Sequence, residues 1–375
     1  MRLPSRLGME IWARAQETVD GAAATDGFHG QVVIRAGGTD RVVGSYGLAN
    51  RTHGVPVTQE TRLGVASFCK MFTAVTIASL VAEGRLTFET PVREVLPADV
   101  DLPWLRDDVC LTHLLSHTSG ISDYLREDEH EGDADLFTPV MGGRPIYDLR
   151  TTRDFLPLLE ALANLAPFPA PPREFAYSST GFILAGLVVE ELTGLAFTAA
   201  VEERVLRPLG LHGSGYPALD GLEPRLAEGY LPASGVVGEH STGLRSNVFC
   251  IPPVGGPDGG AYMTAADMAV FLEAYDRDQI APRARAELLA PHAAVEDDVA
   301  YGYGAWVIHD RLGSGRAVLR FGHGGFDPGF ECWGFRWPDA DLTATITSNV
   351  NGVLDPMRDV VKAIVADALA SLPGS

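Results

Sequence analysis

The sequence predicts an α+β fold in which helices flank one antiparallel sheet that is assembled from both ends of the chain. Runs of β-branched and apolar residues lie near both termini, whereas the middle of the chain shows helical spacing broken by loops. The 375 residues are 46% hydrophobic, enough for a large core. We therefore expect residues 1–85 together with 255–375 to form a sheet domain, and residues 86–254 to form a mostly helical domain.

The amino-terminal part predicts a helix followed by a hairpin and a second helix. An amphipathic pattern favours a helix over residues 10–22. Residues 30–35 and 41–47 are rich in valine and isoleucine and predict two strands, joined by a tight turn at Gly37-Gly38. The second helix is expected to begin at Ser67 and to stop at Gly84, because glycine commonly follows a helix carboxyl end.

The middle of the chain predicts three further helices. One covers residues near 151–163, and one runs from about 180 to 193 and is closed by Gly194. A third covers residues near 196–206 and ends before Pro208, since proline cannot continue a helix. The middle of the chain is otherwise rich in loops.

The carboxyl-terminal part predicts four strands between two helices. Thr264 precedes a helix over residues 265–275, and an amphipathic helix over 354–372 closes the chain. Short β-branched and aromatic runs between them are typical of strands. These predicted strands cover residues 301–309, 317–322, 330–337 and 342–348.

Composition and charge exclude several classes of partner. The net charge of −20 argues against nucleic acid and against an anionic membrane surface. No run of 18 apolar residues occurs, and the first ten residues lack a signal-peptide core, so we expect a cytoplasmic protein without a membrane partner. Four scattered cysteines without metal spacing predict free thiols in a reducing compartment.

Ser67-Phe68-Cys69-Lys70 is the first motif that suggests chemistry. Residues three apart at the start of a helix lie on one face, so the Ser67 hydroxyl and the Lys70 amine can touch. Serine needs a nearby base to become a nucleophile, and lysine can act as one only if its surroundings favour the neutral amine. Four residues alone are a weak signal, so the rest of the chain must supply partners.

Two other segments offer such partners. Tyr177 lies just before the predicted helix at 180, and a phenol close to an ammonium can serve as a general base. Arg320–Phe326 places His323 between glycines in a strand-like run, where glycine marks the close approach of a ligand or of another backbone. Taken singly, Tyr177 is more simply a core aromatic residue, and His323 an incidental residue of a hairpin.

Together, Ser67-Phe68-Cys69-Lys70, Tyr177-Ser178-Ser179 and His323-Gly324-Gly325 resemble the three motifs of the penicillin-recognising serine hydrolases. The tyrosine and histidine are similar to those of the class C branch, which contains β-lactamases, DD-peptidases, D-aminopeptidases, esterases and transacylases. The resemblance extends from about Gly30 to the carboxyl end. It implies a β-lactamase/transpeptidase-like fold, with the active site in the cleft between the two predicted domains. It also implies that substrate specificity lies in the loops of the helical region, mainly 121–150 and 212–258, and no sequence rule reads a substrate from them.

The resemblance also implies a role for each motif residue. Ser67 would be the nucleophile that forms an acyl-enzyme, with Lys70 and Tyr177 sharing the proton as base and acid. The backbone N–H groups of Ser67 and Phe326 would form the oxyanion hole. The remaining motif residues would bind substrate: Ser179, His323, Gly324 and Gly325. No cofactor is implied. His113 and His117, at i and i+4, lack an evident third ligand, so no metal is expected.

Two departures from the family pattern bear on the substrate. Ser179 stands where the family usually has asparagine, and a hydroxyl offers one donor where an amide offers two. His323 stands where true β-lactamases have lysine, and a mostly neutral histidine is less suited to bind a carboxylate. A small ester or amide, with a possible second acceptor substrate, is therefore favoured. A β-lactamase, a DD-peptidase or D-aminopeptidase, and a catalytically silent binding protein stay open as alternatives. Oligomeric state is not predicted.

Overall fold

The structure is a computed structural model. It describes residues 7–125, 145–165, 174–233, 243–312 and 315–371, leaving aside the side chains of 7–9 and 161–165. The described helices are α1 (Leu7–Asp26), α2 (Lys70–Ala82), α3 (Val92–Val95), α4 (Leu111–Leu115), α5 (Leu156–Leu165), α6 (Ser179–Thr193), α7 (Phe197–Val201), α8 (Ala265–Asp276), α9 (Arg285–Leu288) and α10 (Leu354–Ala370). The strands are β1 (Gly30–Ala36), β2 (Thr39–Tyr46), β3 (Leu48–Asn50), β4 (Val55–Pro56), β5 (Leu63–Gly64), β6 (Tyr230–Pro232), β7 (Leu244–Ser246), β8 (Tyr262–Met263), β9 (Ala293–Glu296), β10 (Val299–Tyr301), β11 (Trp306–Arg311), β12 (Ala317–Asp327), β13 (Phe330–Trp337) and β14 (Leu342–Ser348).

One eight-stranded antiparallel sheet organises the chain. Its strand order is β2-β1-β14-β13-β12-β11-β10-β9, so β1 pairs directly with β14. The register places Val32 opposite Ile346, more than three hundred residues away in sequence. The amino-terminal hairpin thus joins the strands of the carboxyl-terminal part in a single sheet, and the predicted α+β fold class is confirmed.

The two faces of the sheet bury different sets of helices. On β14, Leu342, Ala344 and Ile346 belong to the apolar cluster that α1 and α10 cover, because alternate side chains of a strand point to the same face. Thr345 points the other way and donates a hydrogen bond to the Ala265 carbonyl at the start of α8. The α8 face continues into the larger cluster that contains α2 and α6.

Aromatic rings tie α2 to α8 beneath the sheet. Phe68, Phe72 and Phe271 form mutual edge-to-face contacts with centroids 4.6–6.1 Å apart, and all three side chains are fully buried. Burial of each such ring contributes roughly 1.5–3 kcal/mol. The segment that contains Ser67 is therefore anchored in the core on its helical side.

Most predicted elements agree with the structure within a few residues, and one strand does not. The run 301–309, predicted as a single strand, is divided between β10 and β11. Gly304 adopts φ +71°, a left-handed conformation that glycine accommodates easily and that turns the chain between the two strands. The division of the chain into two domains stays a prediction. Parts of the two predicted specificity loops, residues 126–144 and 234–242, lie outside the described residues.

Within the described ranges, no single helix is both long and apolar enough to cross a membrane. Ser179–Thr193 and Phe197–Leu206 satisfy the length and composition requirement only when taken together, and a bend of 73° separates them.

Candidate active site

Ser67 lies in a tight turn directly before α2. Residues Ala66–Cys69 form one 3-10 turn, in which side chains three residues apart eclipse each other. This geometry brings Lys70 Nζ to within 3.0 Å of Ser67 Oγ. Ala66 has φ +42°, a conformation that costs a non-glycine residue energy and that clusters at functional sites. The predicted contact between Ser67 and Lys70 is present, although the 3-10 turn replaces the expected first turn of the helix.

Lys70 is completely buried, and its side-chain nitrogen has three hydrogen-bond partners. Nζ lies 3.0 Å from Ser67 Oγ, 3.2 Å from Ser179 Oγ and 2.8 Å from the Asp258 carbonyl oxygen. The Tyr177 ring adds a cation–π contact, with Nζ 4.9 Å from the ring centroid. The structure thus brings four predicted site residues, Ser67, Lys70, Tyr177 and Ser179, around one amine.

Tyr177 is held in place by His117. The Ala176 N–H donates to the His117 carbonyl oxygen, and the Ser178 N–H donates to His117 Nδ1, both at 2.9 Å. The His117 ring also lies against the Tyr177 ring, with centroids 4.2 Å apart. His117 is buried, and burial together with the nearby Lys70 charge holds the pKa of this histidine well below its usual value. His117 therefore fixes the backbone of both residues that flank Tyr177 in the chain, and its neutral ring packs against the Tyr177 ring.

Strand β12 passes close to the Ser67 turn at Gly325. A Cβ atom at Gly325 would lie 2.5 Å from the Val65 carbonyl oxygen and 2.9 Å from Ala66 Cβ, so only glycine allows this approach. At Gly324 the nearest atom to such a Cβ would be the Cys332 carbonyl oxygen at 3.4 Å, which is an ordinary contact. Gly325 therefore places the strand against the nucleophile turn.

His323 is buried in β12 rather than presented to solvent. Its Nδ1 contacts the Gly324 carbonyl oxygen, which can only accept, so Nδ1 carries the proton and Nε2 accepts from the Tyr301 hydroxyl at 2.9 Å. Burial lowers the pKa of His323 to about 3, so the ring is neutral near pH 7. A neutral side chain with both nitrogens engaged supplies no positive charge to a substrate carboxylate.

Two cavities meet at Ser67 and Phe326. The first is mainly apolar, has a volume of about 290 Å³ and is also lined by Tyr124 and Asp258; we call it the enclosed cavity because it is the less open of the two. The second is an open cleft of about 700 Å³ that Tyr177 and Gly325 line, together with His323. Phe326 is 38% exposed at the end of β12, beside the nucleophile. A serine between an enclosed and an open space can hold an acyl group on one side and exchange a leaving group on the other.

Cys69 and His113, two other residues that could carry chemistry, have structural roles instead. Burial raises the pKa of the Cys69 thiol to about 12, and this thiol accepts a hydrogen bond from the Ala261 N–H at 3.1 Å. His113 Nδ1 accepts from the Cys110 N–H at 3.0 Å, which closes the first turn of α4. Among the described residues, no group of three or more His, Cys, Asp or Glu side chains is arranged to hold a metal ion.

A family model described as Beta-lactamase matches residues 11–367. The chain belongs to the β-lactamase family. Penicillin-binding protein 4 of Amycolatopsis lactamdurans is 29% identical over 335 residues, which cover 86% of this chain and 81% of that protein. Esterase EstB of Burkholderia gladioli is 32% identical over 286 residues, which cover 68% of this chain and 65% of the esterase. These matches confirm the family resemblance seen in the three motifs. They also confirm the predicted enzyme class, a serine hydrolase.

The fold of a solved relative agrees with this assignment. The crystal structure of a penicillin-binding protein from Bacillus halodurans matches with a TM-score of 0.80 and 33% identity, covering 92% of this chain and 99% of that one. The predicted β-lactamase/transpeptidase-like fold is therefore confirmed.

Three contributors to the site are not predicted from the sequence. Asp258 supplies its carbonyl oxygen to Lys70, and Tyr124 donates to the Asp258 carboxyl at 2.7 Å. His117 was considered only as half of a metal pair, whereas it supports Tyr177. The glycine-rich run Gly255–Gly260 around Asp258 is a local signal of close backbone approach, but nothing in it indicates which residue it approaches.

Proposed function

We propose that the protein cleaves a small ester or amide through an acyl-enzyme on Ser67 and passes the acyl group to water or to a second acceptor. The observation that carries the proposal is the hydrogen bond between buried Lys70 Nζ and Ser67 Oγ at 3.0 Å. A base in contact with a serine hydroxyl is the requirement for nucleophilic catalysis by serine. Tyr177, beside the same ammonium, supplies a second group through which the proton can move.

The first half-reaction follows from this arrangement. Ser67 Oγ attacks the substrate carbonyl while its proton passes to the coupled pair of Lys70 and Tyr177. The N–H groups of Ser67 and Phe326 are proposed to stabilise the oxyanion. The pair then gives the proton to the leaving alcohol or amine. In the second half-reaction the same pair takes a proton from water, or from the acceptor, and returns one to Ser67.

The structure favours this function over turnover of a β-lactam. By the family resemblance, true β-lactamases have a lysine where this chain has His323, and burial lowers the pKa of His323 to about 3. Ser179 donates or accepts through one hydroxyl, which is already within 3.2 Å of Lys70 Nζ. The free state of all four cysteines supports the reducing, cytoplasmic location expected from the sequence.

The direct test is covalent labelling of the nucleophile. A fluorophosphonate is expected to add once to the protein, and peptide mass spectrometry should map the adduct to Ser67. Hydrolysis of p-nitrophenyl butyrate should fall at least ~10³-fold in Ser67→Ala, because the covalent route is lost. An adduct on Cys69, or the absence of any adduct, would contradict the proposal.

A second serine serves as the control. Ser371 lies exposed at the end of α10, far along the chain from the motif residues. The Ser371→Ala variant should keep both the adduct and the esterase rate. A binding protein without catalysis would instead retain affinity for an ester analogue while giving no labelled peptide.

A further inference from the structure

The enclosed cavity beside Ser67 is lined by aromatic rings. Tyr124 and Phe155 form an edge-to-face pair on its lining, with centroids 5.4 Å apart, and Tyr262 and Phe330 form another at 5.2 Å. Phe326 adds a fifth ring near the nucleophile. The cavity thus presents several aromatic rings within a small volume.

Two carboxylates share this lining. Asp258 is 7% exposed, and its carboxyl accepts a hydrogen bond from Tyr124. Asp327 follows Phe326 at the end of β12 and also lines the cavity. Among the described lining residues, none is Lys, Arg or His, and Lys70 lies behind the wall, bonded to the Asp258 backbone. The described lining thus holds two carboxyl groups and no cationic side chain. Burial raises the pKa of the Asp258 carboxyl, and a bound cation would act in the opposite direction by favouring the ionised form.

The position of the proton donor decides which cavity holds the acyl group. Tyr177 lines the open cleft and not the enclosed cavity. A general acid must reach the leaving-group oxygen or nitrogen, so the leaving group and the acceptor belong in the open cleft. The acyl group of the Ser67 acyl-enzyme then extends into the enclosed cavity. This step rests on the proposed function.

We propose that the enclosed cavity is an acyl subsite for a substrate whose acyl group carries an alkylammonium cation. Aromatic faces attract such cations through the ring quadrupole, and nearby carboxylates add a Coulomb attraction that an apolar wall strengthens. The volume of about 290 Å³ equals that of roughly ten water molecules, which suits a compact acyl group of similar size. The same walls disfavour an acyl group that carries a carboxylate.

The distance from the nucleophile sets the length of the acyl chain. Consecutive hydrogen bonds of 3.0 and 2.8 Å join Ser67 Oγ through Lys70 Nζ to the Asp258 carbonyl oxygen. One amine thus bridges Ser67 and the Asp258 backbone, and both residues line the same cavity. A cation separated from the carbonyl by a short chain of methylene groups can reach both the Asp258 carboxyl and the aromatic rings.

The covalent chemistry is that of the proposed acyl transfer. A bond forms between Ser67 Oγ and the acyl carbon, and the bond from that carbon to the leaving alcohol breaks. The serine proton leaves with the alcohol by way of the Lys70–Tyr177 pair. Water then cleaves the acyl-enzyme and releases the ammonium-bearing carboxylic acid.

Three p-nitrophenyl esters with the same three-methylene spacer test the charge of the acyl group. Their acyl parts are 4-(trimethylammonio)butanoyl, the neutral isostere 5,5-dimethylhexanoyl, and the anionic monoglutaryl group. After division by the hydroxide-catalysed rate of each ester, we expect kcat/KM for the cation to exceed the neutral value about tenfold, and the anion to fall below it by a similar factor. Equal values for cation and neutral isostere would overturn the proposal.

Two variants of the cavity lining test whether its carboxyl groups cause the preference for a cationic acyl group. Asp258→Asn and Asp327→Asn should each lower the cation-to-neutral ratio severalfold, and Asp258→Asn keeps the backbone oxygen that Lys70 uses. A ratio from one protein preparation cancels partial loss of fold. Asp339→Asn, an equal change of net charge at an exposed position beyond β13, should leave the ratio unchanged.

The results distinguish the proposed cationic acyl subsite from the proposed acyl-enzyme on Ser67. Labelling of Ser67 by a fluorophosphonate, with hydrolysis of the neutral ester but no charge preference, would reject the cationic subsite alone. A wild-type preference that persists in both Asp variants would reject these carboxylates as its source, and with them the proposed subsite. Loss of labelling and of hydrolysis for all three esters would reject the acyl-enzyme itself.

Discussion

Gly325 sets the distance between the sheet and the nucleophile turn. The contact distances of 2.5 and 2.9 Å for an added Cβ involve the backbone of Val65 and the Cβ of Ala66, neither of which can rotate away. Ala66 is itself in the left-handed region, so the turn has little freedom to adjust. The position of Ser67 Oγ thus depends on a residue that need not touch the substrate.

Gly325→Ala is expected to fold with a loss of roughly 1–3 kcal/mol, since overpacking moves the backbone. The fluorophosphonate labelling rate of Ser67 should fall about a hundredfold, because an ångström of misplacement has that effect on a reacting group. Gly324→Ala is the matched control, and its free energy of unfolding should change by no more than about 0.5 kcal/mol. Labelling of Gly325→Ala at the wild-type rate would show that the turn adjusts freely.

At the scale of elements, the site depends on the attachment of the α6 entry to the turn after α4. His117, with φ +58°, occupies that turn and holds Ala176 and Ser178 through a carbonyl oxygen and a ring nitrogen. Its Nε2 atom has no hydrogen-bond partner among the described residues, and the ring is surrounded by Phe175, Tyr177, Phe182 and Tyr301. We infer that His117 positions Tyr177.

Two substitutions of His117 test its two contributions separately: the hydrogen-bond acceptor for the Ser178 N–H and the ring packed against Tyr177. Asparagine tolerates the left-handed backbone and offers an oxygen to Ser178, whereas phenylalanine keeps a ring against Tyr177 and leaves the Ser178 N–H unsatisfied. His117→Asn should keep most of the stability, yet kcat should fall roughly ten- to hundredfold with little change in KM, because Tyr177 is released. His117→Phe should lose roughly 1–3 kcal/mol from the buried unpaired N–H.

The measurement is steady-state kinetics on folded protein, with urea denaturation of each variant alongside. If His117 served stability alone, kcat per folded molecule would stay at the wild-type value in both variants. That result would remove the positioning role and leave the catalytic assignment of Tyr177 untouched.

The sequence predicted those parts of the site that depend on short-range spacing. Ser67 and Lys70 are three residues apart, so any helical turn brings them together. The approach of Asp258 to Lys70 and of His117 to Tyr177 depends on long-range packing, for which no residue pattern exists. The error over residues 301–309 has a local cause, because Gly302 and Gly304 interrupt an apolar run that otherwise favours one strand.

At the scale of the whole molecule, the sheet and the helices enclose two histidines close to Lys70. His117 packs under Tyr177, and His323 lies in β12, so both are removed from water. Burial and the Lys70 charge lower the pKa of both rings, with that of His323 lowered to about 3. The unfolded chain, in which a histidine titrates near 6.5, therefore binds more protons than the folded chain below that pH.

This difference fixes the direction in which stability changes with pH. A group whose pKa is depressed by folding contributes stability that is complete above its unfolded pKa and is lost as the pH falls toward its folded pKa. For His323 the window runs from about 6.5 down to about 3. Burial raises the pKa of the Asp258 and Glu331 carboxyls, so these groups act in the opposite direction, from the ordinary carboxyl pKa of about 4 upward.

A comparison of variants isolates the histidine contribution. Between pH near 7.5 and pH near 5, the unfolding free energy of His323→Gln should decline by about 2 kcal/mol less than that of wild type, because one proton no longer binds on unfolding. His53→Gln is the control: His53 is exposed, and its variant should follow the wild-type curve. Urea denaturation at several pH values measures both. Parallel curves for His323→Gln and wild type would mean that His323 keeps an ordinary affinity for protons in the fold, and that a charge at this position is available to the site after all.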